Sequence, residues 1–172
     1  MLIKSGFTLF EILIVIGIIS FILYISIGFF KLNNDTLIMQ ELEKLYSCML
    51  YLQSKAQIEQ KNQYLNLNLS DNSYTYNNYP NNIKILDPIS FGFIENSKGP
   101  PSNPKVNINR AITFKDNKIT FYKDKTISSG IIYMIDKNKN FMYALSTGIA
   151  NITYIRKYKY IKDSPKSWNL IN

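Results

Sequence analysis

The residue whose type and position most demand a chemical role is Glu11. Between Phe7 and Phe30 the chain carries no other charge and no proline. A carboxylate at bilayer depth costs ~2.5–3.5 kcal/mol on insertion scales, and such residues usually mark function. An acid in that setting calls for a cation. A second set of chemically capable residues is Arg156-Lys157-Tyr158-Lys159-Tyr160-Ile161-Lys162, where bases alternate with aromatic rings. Cations hold phosphates and rings stack on nucleobases, so Arg156, Lys157 and Lys159 are candidate nucleic-acid contacts. The same pattern also suits an edge strand that lysines guard against aggregation.

Other chemistries are excluded by count. There is no histidine, and Cys48 is the sole cysteine. That removes histidine triads, histidine-ligated zinc, CxxC sites and an internal disulfide. Cys48 reads as a small apolar residue on a helix. No phosphate-cradling glycine motif is present, and no carboxylate spacing supports an acid pair of the glycosidase kind. The expectation is a protein without cofactor, metal or catalytic residues. The net charge is +8. Residues 1–109 hold eight basic and eight acidic side chains, whereas residues 110–172 hold twelve and four, so the excess lies wholly in the distal part. A basic half suits nucleic acid, anionic lipid or an acidic partner; a lysine-rich solvated surface is the plainer reading.

These residues must be positioned by a small set of elements. Residues 7–30 form an apolar run of 24, longer than the roughly 20 residues a helix needs to cross a bilayer. Lys4 before the run predicts a cytoplasmic N-terminus. Ile38, Leu42, Leu45, Met49, Leu52 and Ala56 then follow the 4-3-4-3-4 spacing of one apolar helical stripe. Without proline across residues 7–62, one continuous helix from Phe7 to about Lys61 is expected, membrane-spanning in its first half and amphipathic in its second. After Lys61 the pattern changes. Leu65, Leu67 and Leu69 alternate with asparagines as in a half-buried strand. Short strands are expected at 83–86, 91–94, 126–128, 131–135, 141–145, 152–155 and 158–161. Ala111–Lys115 and Lys118–Tyr122, flanking Asp116-Asn117, read as a tight hairpin. The fold class expected is α+β: a long N-terminal helix packed on a C-terminal antiparallel β-rich domain. The segments are a leader at 1–6, a transmembrane half at 7–30, an amphipathic half at 31–61 and a β-rich domain at 62–172.

Glycine at position 6 fits a cleavage site, since a residue without Cβ adopts conformations closed to others. A cut after Gly6 would free the amino group of Phe7. Glu11 of one chain could then pair with that group on a neighbour and fix the axial register of parallel helices, because removing one partner of a buried pair costs ~3–5 kcal/mol. Lys4-Ser5-Gly6-Phe7-Thr8-Leu9-Phe10-Glu11, followed by Ile12-Leu13-Ile14-Val15-Ile16, resembles the class III signal of type IV prepilins and pseudopilins. Phe10 stands where that family more often has a smaller aliphatic residue. The resemblance implies cleavage by a prepilin peptidase between Gly6 and Phe7, N-methylation of Phe7, and a role for Glu11 in assembly. It implies a structural subunit, partnered by other pilin subunits in a hetero-oligomeric filament. It also implies an inner-membrane location, with the globular domain outside the cytoplasm. Ala111–Tyr122, Ile131–Ile135 and Phe141–Gly148 resemble, more loosely, the GspH/FimT group of minor pseudopilins. Members linked to DNA uptake carry bases soon after that glycine; here Ile149-Ala150-Asn151 follow it, and Arg156-Lys157 come later.

Overall fold

The structure is a computed structural model; it describes residues 8–29, 34–76, 82–99, 105–148, 154–162, 164 and 167–171, with side chains left out over 25–29. The chain divides into two compact units, Met1–Asn33 and Asn34–Asn172. The first contains helix α1, Leu9–Phe29. Its described large apolar side chains are all exposed, between 47% and 80%. The second begins with helix α2, Asn34–Ile58. Two antiparallel sheets follow it. One has the order β3-β2-β1-β5, from Ile83–Lys84, Ser73–Tyr76, Gln63–Asn68 and Lys118–Phe121. The other has the order β4-β6-β7-β8-β9, from Ile89–Phe91, Gly130–Asp136, Met142–Thr147, Ile155–Tyr160 and Trp168–Ile171.

This architecture corrects the expected one. In place of one helix from Phe7 to Lys61, the described residues hold two, α1 at Leu9–Phe29 and α2 at Asn34–Ile58, with residues 30–33 outside the described residues. The short polar side chains Asn34 and Asp35 open α2 and are drawn into tertiary bonds with the sheet. Such residues favour helix starts over helix interiors. The single-pass anchor is corrected as well. Among the described residues no helix is long and apolar enough to cross a membrane. Phe7 and Phe30, the two ends of the run of 24 counted along the sequence, lie outside the described residues, and Thr8 caps the helix. The inner-membrane location, with its cytoplasmic N-terminus and extracytoplasmic domain, has no support from this helix.

The core follows the stripe. Ile38, Leu42, Leu45, Met49, Leu52 and Ala56 are fully buried, and they pack with Leu65, Ile119 and Phe121 from one sheet and Ile89, Ile132 and Met134 from the other. In β1 the alternation holds strictly: Gln63, Leu65 and Leu67 are buried, Tyr64, Asn66 and Asn68 exposed. The second face of the five-stranded sheet carries its own cluster, with Tyr133, Met142, Ala144, Tyr158 and Trp168. The segment before β5 lies over this face, where the Trp168 indole N–H donates to the Lys98 carbonyl at 3.0 Å. The sheets are stitched through Asn72: its amide donates to Ile89 O at 2.7 Å and accepts from Phe91 N–H at 3.0 Å. Gly130 opens β6 against the Phe114 ring; a Cβ there would lie 2.6 Å from it.

The hairpin expected around Asp116-Asn117 is half right. Both residues do turn the chain with positive φ, 54° and 51°. The arms then part: β5 pairs with β1, while Ile112 bridges to Ile132 in the other sheet. The 126–128 segment makes a bridge at Ile127, and the 152–155 strand starts at Ile155, with 152 and 153 outside the described residues. β8 is an interior strand with β9 beyond it, so the guarded-edge reading of its lysines does not hold.

Candidate functional site

Two places hold the residues singled out by chemistry. The first is the start of α1. Thr8 Oγ1 accepts the Glu11 N–H at 3.2 Å, and Glu11 Oε2 accepts the Thr8 backbone N–H at 2.8 Å and its hydroxyl at 3.0 Å. This is a reciprocal capping box, in which residues three apart satisfy each other's otherwise orphaned donors. Glu11 also places a negative charge at the positive end of the helix dipole. It thus has a local task in the single chain. Among the described residues both donors meet Oε2, and a carboxylate has further acceptor sites. Gly6 and Phe7 lie outside the described residues.

The second place is the seam between α2 and the five-stranded sheet. Asp35, in the first turn of α2, accepts from the Tyr143 hydroxyl at 2.7 Å and from Lys159 Nζ at 2.7 Å. Two turns along, Glu43 Oε1 accepts from Lys157 Nζ at 2.6 Å, and that ammonium lies 4.8 Å from the centroid of the Tyr46 ring. Beside Asp35, the Asn34 amide donates to Asp136 Oδ2 at 3.3 Å. Asp136 is fully buried and shapes the β6–β7 turn by accepting the Phe141 N–H at 2.7 Å. The seam is built by two periodicities. Residues 35 and 43 fall on one flank of a helix, and residues 157 and 159 on one face of a strand.

The electrostatics follow from this geometry. Burial alone would raise the Asp35 carboxyl, but the hydrogen bonds from Lys159 and Tyr143, with the Lys159 charge, outweigh it and hold the acid below its ordinary range. Burial would lower Lys159, and the bonds to Asp35 and Tyr143 reverse that, so the ammonium is raised. Burial, aided by the bond to Asp35, pushes the Tyr143 phenol up to about 12. Burial likewise pushes the Cys48 thiol up to about 11, so it is a poor nucleophile near neutrality.

The candidate nucleic-acid residues are not brought together. Lys157 and Lys159 point to α2 and are committed to Glu43 and Asp35. Arg156 is exposed on the other face of the strand and stacks on Tyr154, 4.2 Å from its ring centroid. Sequence reasoning missed Asp35, Glu43 and Tyr143. The spacing of eight between the two acids on α2, read against the alternate lysines of β8, was the available signal. The Thr8-to-Glu11 spacing of three likewise spells the cap. Among the described residues no three histidine, cysteine or carboxylate side chains gather as metal ligands. No protein-family model matches this chain, and no curated protein or solved structure matches it either.

Proposed function

We propose that this chain is a structural subunit of a pilin-like filament, a minor pseudopilin or minor pilin, that joins its neighbours through α1. A prepilin-type peptidase trims it between Gly6 and Phe7 and methylates the new N-terminus; the filament is a type II secretion pseudopilus or a related type IV pilus. It catalyses nothing. The observation that carries the reading is the exposure of α1: a helix apolar on all sides, with its described large apolar side chains open, is a surface that seeks cover. Glu11, besides capping its own helix, has acceptor capacity for the free amino group of a neighbour's Phe7. The motif from Lys4 to Glu11 supports the processing step.

Coexpression with a prepilin peptidase tests the reading. Mass spectrometry of the mature chain is expected to show a start at methylated Phe7, and Gly6→Val to leave the full-length precursor. Glu11→Val is expected to spare cleavage and impair assembly. Normal filaments from that variant would overturn the role given to Glu11, and a different mature start would overturn the processing. Nucleic-acid binding through Arg156, Lys157 and Lys159 is not favoured, since two of the three cations are already paired.

A further inference from the structure

Helix α2 lies over β4, β6 and β7, and a groove of about 830 Å³ opens on its flank toward β8 and β9. Met39, Gln40 and Ser47 line the helix wall, and Tyr143, Lys159 and Ile171 the sheet floor. The groove follows α2 from Asp35 to Ser47, about 18 Å of helix. In layer terms, this is a part of the sheet that α2 does not roof.

We propose that this groove is the seat for α1 of a second copy of the chain. Charge selects that occupant. The acids in the groove, Asp35 and Glu43, are paired to Lys159 and Lys157, and Lys44 is paired to Glu41. Covering these groups with an uncharged element strands no ion, whereas a charged partner would compete with pairs already made. Beyond Glu11, α1 has no charge through Phe29, and its length of about 30 Å exceeds the groove. A second consequence follows from α1 and this groove being different surfaces. The contact joins two different surfaces, so each docked copy presents a free groove or a free helix, and association continues in one direction instead of closing as a dimer. The inference rests on the filament reading and adds the surface that receives α1.

Disulfide trapping in the full-length chain tests it. In a Cys48→Ser background, Ser47→Cys on the groove wall is combined with Val15→Cys on α1, and the assembled material is oxidised. The expected result is a ladder of disulfide-linked dimers and higher multiples. Adding Gln40→Glu, an exposed change on the groove wall, is expected to abolish the ladder and leave the thermal unfolding of the monomer unchanged. Sedimentable multimers without a ladder would overturn the groove and leave the filament reading standing. A band trapped only within one chain would overturn the choice of a second copy. The absence of any multimer, with or without cysteines, would overturn both readings.

Discussion

Helices α1 and α2 are of similar length and opposite fate. The described large apolar side chains of α1 are all exposed, while α2 buries a six-residue stripe at 0% exposure between two sheets. The difference is one of patterning. In α2, apolar residues recur every three or four positions and polar ones fill the rest, so the helix has an inside and an outside. In α1 there is no polar face to leave in water. One helix has its cover within its own unit; the other leaves its described apolar side chains exposed.

Four measurements break or sharpen this contrast. The largest effect is expected from Leu45→Ala, which removes a fully buried side chain and should cost ~2–5 kcal/mol in chemical denaturation. Leu13→Ala on α1 should change the unfolding of residues 34–172 by less than about 0.5 kcal/mol, as for an exposed site, while weakening self-association. Equal destabilisation by the two would end the distinction.

Next in size is Glu43→Gln. It leaves the Lys157 ammonium, 10% exposed, without its counter-charge. A loss of about 1–2 kcal/mol is expected, kept modest because Glu43 itself is more than a third exposed. Glu43→Gln combined with Lys157→Met should recover most of it. Additive losses in the double variant would show that the pair does not act as a unit.

Smaller still is the pH response of the seam. Asp35 is depressed in the folded chain, so its contribution is present above the unfolded value, ~3.9, and is lost as pH falls through the folded one. Lys159 and Tyr143 are raised, so theirs are present below the unfolded values, ~10, and are lost as pH rises through the folded ones, about 12 for Tyr143. Melting temperature should be flat between about pH 5 and 9 and decline outside that window. Asp35→Asn should flatten the acid limb; an unchanged acid limb would remove Asp35 from the account. The smallest effect is at Cys48. With its thiol pushed up to about 11, it should react slowly with a disulfide reagent at pH 8 in the native chain and at once after denaturation. Fast native labelling would mean that this part of α2 opens far more readily than its buried stripe allows.

The stripe of α2 was legible because helical packing repeats over a few residues and its pattern is local. So was the alternation of β1. The division into two sheets was not, because it depends on which distant strand each arm chooses. Asp116-Asn117 turns as its residue types foretell, yet β5 joins a partner more than fifty residues back while Ile112 goes to the other sheet. β9 was hidden in a tail polar apart from Trp168, and its burial against Tyr133, Tyr158 and Tyr160 is a tertiary matter. The lysines of β8 looked like free cations or edge guards because their partners sit on α2, over a hundred positions away. Glu11 looked like a charge in search of a neighbour, and its nearest partner proved to be Thr8.

The bonds at the opening of α2 also bear on how such a molecule carries force. A pull applied from the N-terminal side reaches the second unit where α2 begins, at Asn34. There Asp136, Tyr143 and Lys159 tie the first turn of the helix to three strands in the middle of a sheet. A pull at that point is shared across several hydrogen bonds at once instead of peeling the helix away turn by turn. In a pulling experiment from Asn34, Asp35→Asn should lower the force at which α2 first yields; an unchanged yield force would mean that the buried stripe alone bears the load.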